Sequence, residues 1–100
     1  MQVTWSHRPA DTSGDLDLLT LGNATYTFEP RISAHFAHPA NWGLKITDLR
    51  PTDAGNYICQ ISTFPPRVRI VFLEIRGKFD IILCYNLELK CQQSDKNYIV

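Results

Sequence analysis

The side chains able to do acid–base, metal or thiol chemistry are few, and their spacing gathers none of them into a reactive group. His35 and His38 stand three residues apart in a stretch of strand character, a spacing that turns them to opposite sides of a sheet. No cysteine or carboxylate lies near them at the spacing a zinc site requires, so both read as solvated or hydrogen-bonded imidazoles. Asp11, Asp15 and Asp17 with Gly14 suggest calcium, but the regular alternate oxygen ligands and closing glutamate of a calcium loop are missing. That segment reads as a solvated turn. There is no G-x-S-x-G elbow, no phosphate-cradling glycine loop and no H-E-x-x-H pair. The chain is expected to be no enzyme and to hold neither metal nor cofactor.

What the spacing does organise is a scaffold. Asp53, Gly55, Tyr57 and Cys59 make the pattern D-x-G-x-Y-x-C. It marks strand F of an immunoglobulin-type β-sandwich, where a tyrosine two residues before the second cysteine closes the corner with its hydroxyl. Gly55 fits the tight bend, and Tyr57 and Cys59 share one face of the strand, so that face belongs to a core. Cys59 is then a buried structural thiol, not a nucleophile. Trp5 supplies the strand C tryptophan, and Leu44, Ile46 and Leu49 supply the strand E pattern. Arg31 and Asp53 are read as an ion pair tying the start of strand D to the E–F corner. Fixed and partly buried, it should matter more than the ~0 to 1 kcal/mol of an exposed pair.

The 100 residues suffice for one sandwich and no second unit. Ten basic and ten acidic residues cancel, so no long-range field gathers nucleic acid. Met1 leads straight into Gln2-Val3-Thr4-Trp5 without a charged and then apolar leader, so a secretory signal is not expected in this sequence. The longest apolar run, Ile81 to Tyr85, is far short of the ~20 residues of a spanning helix. Cys59, Cys84 and Cys91 are odd in number, which leaves at least one thiol free or paired with another molecule.

Alternation and turn residues predict strand C over Gln2 to Arg8, a polar loop from Pro9 to Asp17, strand C′ over Leu18 to Leu21, a Gly22-Asn23 turn and strand C″ over Thr25 to Phe28. Strand D is expected over Ile32 to Ala37 and strand E over Trp42 to Thr47, after a loop around His38 to Asn41. Strand F should run from Asn56 to Thr63, and strand G alternates Val68, Ile70 and Phe72 with Arg67, Arg69 and Val71 towards Ile75. The extra C′–C″ pair indicates a variable-type, all-β sandwich. No cysteine precedes Trp5, so the sandwich is expected to be incomplete, with strands C to G present and A and B missing.

On that reading residues 1–76 are a partial domain and residues 77–100 an atypical tail, strand-forming or disordered. The plainer account of the tail is an extension foreign to the fold. The sharper one starts from Leu87-Glu88-Leu89-Lys90-Cys91, which alternates apolar and charged residues before a cysteine as a strand B does; folded back, it brings Cys91 to Cys59. Without such cover, one sheet is reduced to D and E, Trp5, Tyr57 and Cys59 lie partly open, and the edge of strand E invites aggregation.

Two stretches carry a family resemblance. Leu18-Leu19-Thr20-Leu21-Gly22-Asn23-Ala24-Thr25-Tyr26-Thr27, followed by Arg31-Ile32, and Cys59-Gln60-Ile61-Ser62-Thr63-Phe64-Pro65-Pro66 resemble the first, membrane-distal domain of the insect defective proboscis extension response proteins and their interacting proteins. These are neural cell-surface immunoglobulin receptors. The similarity spans about Val3 to Ile75; the long C to C′ loop, the absent strands and the tail depart from it. The resemblance implies a recognition domain that pairs with a related immunoglobulin-superfamily protein on an apposed neuron, through its C-C′-C″-F-G sheet, at the extracellular face of the plasma membrane in an anchored parent. It carries partner contacts onto Leu19, Tyr26, Phe28, Gln60 and Ser62. Asn23-Ala24-Thr25 is a sequon, so Asn23 is a glycan acceptor wherever the chain meets a secretory compartment. The competing account is a truncated product without a binding role of its own.

Overall fold

The computed structural model describes residues 3–10, 15–38, 41–76, 86–91 and 96–99, with backbone only for 36–38, 41 and 96–98. Among the described residues the chain forms β1 (Val3–Pro9), β2 (Asp17–Leu21), β3 (Ala24–Thr25), β4 (Ile32–His38), β5 (Asn41–Ile46), β6 (Gly55–Ile61), β7 (Arg67–Glu74), β8 (Leu87–Lys90) and β9 (Lys96–Ile99). A 3-10 turn, Pro51–Asp53, precedes β6. One sheet runs β3-β2-β1-β6-β7-β9 and the other β4-β5-β8. Neighbours are antiparallel except β7 and β9, which run parallel. The fold is an all-β sandwich, as the strand F motif requires.

Each sheet turns one set of alternating side chains inward. Val3, Trp5, Tyr57, Cys59, Val71 and Leu73 from the larger sheet meet Ile32, Leu44, Ile46, Leu87 and Leu89 from the smaller one in a single buried cluster. Trp5 lies in register with Cys59 on the adjoining strand, so the indole packs beside the half-cystine.

The tail is part of this core. β8 pairs with β5, Leu44 opposite Leu89 and Ile46 opposite Leu87, and a disulfide joins Cys59 to Cys91 with 5.9 Å between their Cα atoms. The fold-back account therefore describes residues 87–91, and the account of the tail as an extension foreign to the fold does not. Its alternation puts Leu87, Leu89 and Cys91 inward, where burial outweighs the entropy of ordering a short strand. Two dependent expectations are corrected with it. Trp5, Tyr57 and Cys59 are not partly open but at most 1% exposed, and the free edge of β5 is covered. β9 extends the larger sheet beyond β7. Asp11, the loop residues Pro39 and Ala40, the run Ile81 to Tyr85 and Cys84 lie outside the described residues.

The corner before β6 is built as the motif demands. The Tyr57 hydroxyl donates to the Asp53 carbonyl, and the His7 ring stacks on the Tyr57 ring with centroids 4.2 Å apart while its Nε2 lies 3.1 Å from the Ala54 carbonyl. Arg31 grips Asp53 bidentately at 2.8 and 2.9 Å, and reaches the Thr47 and Asp48 carbonyls and Glu29. The Arg50 amide donates to the same carboxylate. The ion pair is thus the architectural tie expected between strand D and the E–F corner.

Burial, and secondarily the Asp53 charge, push the Tyr57 hydroxyl well above the usual tyrosine range, with Arg31 opposing. Its raised folded value means that stability is undiminished below about pH 10, where an unfolded tyrosine stays neutral, and falls as pH rises beyond it. In an absorbance titration at alkaline pH, Tyr57, one of the chain's four tyrosines, is expected to ionise only together with loss of the folded near-ultraviolet dichroism. A Tyr57 that titrates while that dichroism persists would contradict the buried corner.

Candidate functional site

The outward face of the larger sheet is set by the inward one. Tyr57 and Cys59 point to the core, so Asn56, Ile58 and Gln60 point out. The β6–β7 register pairs Cys59 with Arg69 and Tyr57 with Val71, which turns Val68, Ile70 and Phe72 outward too. They are 47%, 42% and 39% exposed. On the other side β1 presents Thr4, Ser6 and Arg8. The face consists of three rows across β1, β6 and β7: Thr4, Gln60 and Val68; then Ser6, Ile58 and Ile70; then Arg8, Asn56 and Phe72. Its centre carries no charge, and aliphatic and aromatic side chains stand among small uncharged polar ones.

The register has a cost on the inner face. Arg69 is directed towards the core side beside Cys59; it is only half-buried, but its Nε finds no hydrogen-bond partner.

The contact residues carried over from the resemblance do not come together. Gln60 is exposed on the face and Ser62 is exposed just past the end of β6. Leu19 is only 3% exposed and belongs to the core cluster, so its assignment as a partner contact is corrected. The cause is a β-bulge: β1 and β2 shift register between Trp5 and Ser6, with Trp5 opposite Thr20 but Ser6 opposite Leu18. The extra residue, Leu19, turns inward beside Thr20.

Tyr26 and Phe28 are 65% and 104% exposed, yet β3 stops at Thr25, short of the expected strand over Thr25 to Phe28. The Tyr26 and Thr27 amides both donate to the Leu19 carbonyl, which folds the chain away from the strand line. With Leu16, Leu18 and Ile32 they line a groove of about 520 Å³ beside the Arg31–Asp53 corner. Asn23 is exposed in the β2–β3 turn, next to Gly22 at φ 61°.

Elsewhere, His35 Nε2 lies 3.1 Å from Glu88 Oε2. The two reach each other across Gly43, whose place in β5 between β4 and β8 leaves no side chain in the way. Only the backbone of His38 is described.

Thr4, Ser6, Ile58, Val68, Ile70 and Phe72 were not among the partner contacts expected from the sequence. The D-x-G-x-Y-x-C motif supplies the signal for β6 alone, since it fixes which residues of that strand face out. β7 needs the hairpin register as well. No protein-family model and no curated protein matches the chain.

Proposed function

We propose that this chain is a recognition domain that docks a related immunoglobulin-type domain with the outer face of its larger sheet. The observation that carries the reading is the set of exposed apolar side chains Val68, Ile70 and Phe72, joined by Ile58 and free of charge at its centre. Stable interfaces deplete charge at their centres and enrich aromatic and aliphatic groups there. Gln60 and the flanking Thr4, Asn56 and Ser62 supply the polar surroundings.

The resemblance in Leu18 to Thr27 and in Cys59 to Pro66 supports a narrower form: adhesion between neurons and synaptic partner choice, at the outer face of the plasma membrane in an anchored parent. The Cys59–Cys91 disulfide is in keeping with an oxidising, extracellular compartment, and exposed Asn23 with a glycoprotein. Among the described residues no helix is long and apolar enough to cross a membrane. The rival account is a truncated product with no binding role of its own; the pairing of β8 with β5 supports instead a chain whose smaller sheet is covered by its own tail.

The test is capture of the whole chain by a panel of immobilised neural immunoglobulin domains. Ile70→Asp is expected to weaken the captured pair by about thirtyfold or more, the size of a hot-spot loss, with the melting temperature of the variant as the folding control. Capture unaffected by the substitution, or no capture by any member, would sink the reading.

A further inference from the structure

We infer that the end of the sandwich at the β6–β7 turn is an oxyanion site, in which Arg67 and Arg69 hold the sulfo groups of a sulfated glycan. In β7 the two arginines stand two residues apart on the side that faces the core, Arg67 opposite Ile61 and Arg69 opposite Cys59. Val68 and Ile70 are on the other side of the strand, so the site lies apart from the outer docking face. Alternate positions of a strand are about 6.6 Å apart, which makes the two guanidinium groups neighbours. Arg67, beside the turn, is exposed, and Arg69, one step further in, is half-buried. The disulfide from Cys59 to Cys91 closes the space next to Arg69. Lys90, exposed and adjacent to Cys91 in the chain, adds a third cation at this end.

Their charge is not neutralised from within. Among the described residues the ion pairs engage Arg31, His35 and Arg76, and none engages Arg67, Arg69 or Lys90. The Arg69 Nε is shut off from water and has no hydrogen-bond partner, a costly state for a donor on a charged group. An oxyanion seated between the two guanidinium groups ends that state. A turn of the Arg69 stem sets Nε and one Nη against two oxygens of the same group, while Arg67 takes the third. This is the bidentate geometry that a guanidinium forms with a planar or tetrahedral oxyanion and that an ammonium cannot.

The place of the arginines favours a linear polyanion. Arg69 lies on the inner side of β7, between the two sheets, where a narrow chain enters and a flat bilayer does not reach. Choosing a glycan among linear polyanions rests on the extracellular part of the functional reading, because sulfated glycans belong to the oxidising compartment that suits the disulfide. The chain has no net charge, so no long-range field assists binding. A Kd on the order of 10–100 μM at low salt is expected.

Titration calorimetry of the whole oxidised chain with a heparin oligosaccharide tests it, with the desulfated oligosaccharide and phosphatidylserine vesicles as the other arms. The sulfated oligosaccharide should bind at about 50 mM salt and be released at about 0.5 M, and the desulfated one should not bind. Arg69→Leu and Arg67→Glu should each weaken binding about tenfold or more, and Arg69→Lys, which keeps the charge and loses the fork, about threefold to fivefold. Arg76→Glu, the same change of charge at the opposite end, should stay within about twofold of the native value. Melting temperatures serve as folding controls, and exposed Arg67 keeps the test decisive should Arg69→Leu not fold. No binding of the sulfated oligosaccharide, equal binding of the desulfated one, or equal losses in Arg67→Glu and Arg76→Glu would overturn the inference. Vesicles bound in place of the oligosaccharide would overturn it too, in favour of a lipid phosphate. A chain that ignores the oligosaccharide yet is captured by an immunoglobulin domain loses this site alone, and the docking reading stands.

Discussion

Replacing Cys91 with Ala is expected to lower the unfolding free energy by ~3 to 4 kcal/mol, the loop-closure value for a crosslink of this span. The disulfide joins residues separated by 32 positions. It also joins the two sheets, since Cys59 belongs to β6 and Cys91 follows β8, the strand that covers β5. Cutting it frees the tail from the larger sheet at that point and leaves the hold of β8 to its pairing with β5 and to Leu87 and Leu89. For a domain of this size a loss of that order lowers the melting temperature by roughly 15 to 25 °C. Denaturant unfolding of the oxidised protein, the Cys91→Ala variant and the Cys59→Ala variant gives the measurement. The two single variants should agree, because each removes the same bond; equal stability of the variants and the oxidised protein would show that β8 is held without it.

Gly55→Ala should be at least as damaging, by about 3 to 5 kcal/mol, for a different reason. Gly55 has φ +134°, a region that side chains rarely occupy, and an added Cβ would sit 2.3 Å from the Arg8 carbonyl oxygen and 2.9 Å from the Ala10 amide nitrogen. Both contacts are backbone, so no side chain can swing aside. Relief requires β6 to move away from the Pro9 end of β1, with which Gly55 is paired, and that motion disturbs the His7–Tyr57 stack beside it. Chemical denaturation is again the readout. A Gly55→Ala domain as stable as the parent would mean that this corner is not built as described. Gly43→Ala makes a useful contrast, since its φ is ordinary and its nearest added contact is 3.1 Å.

Much of the interior was legible in the residues because it depends on local spacing. Tyr57 and Cys59 stand two apart on a strand, which commits them to one face wherever that strand lies. Asp53 and Gly55 define the corner by what a tight bend tolerates, and Arg31 could be matched to Asp53 because both belong to the same corner pattern. The outer face was less legible. In β7 the apolar set Val68, Ile70 and Phe72 looks more core-like than Arg67, Arg69, Val71 and Leu73, so hydrophobicity alone would turn the strand over. The hairpin register decides otherwise by setting Arg69 beside Cys59 and Val71 beside Tyr57. A shift of one residue would exchange the two faces, and nothing local to β7 fixes it.

Leu19 shows the same limit in a single residue. Its place in an alternating segment leaves both faces open, and only the bulge opposite Trp5 and Ser6 sends it inward. The tail is a third instance: Leu87-Glu88-Leu89-Lys90-Cys91 carries the pattern of a core strand, but a pattern does not name its neighbour. By itself the order of residues determined the class of fold and the inward side of β6, because each follows from chemistry within a few positions along the chain. Which strand completes the smaller sheet, which cysteine joins Cys59 and which side chains remain for a partner were decided by the tertiary structure, because they depend on pairings between segments distant in sequence.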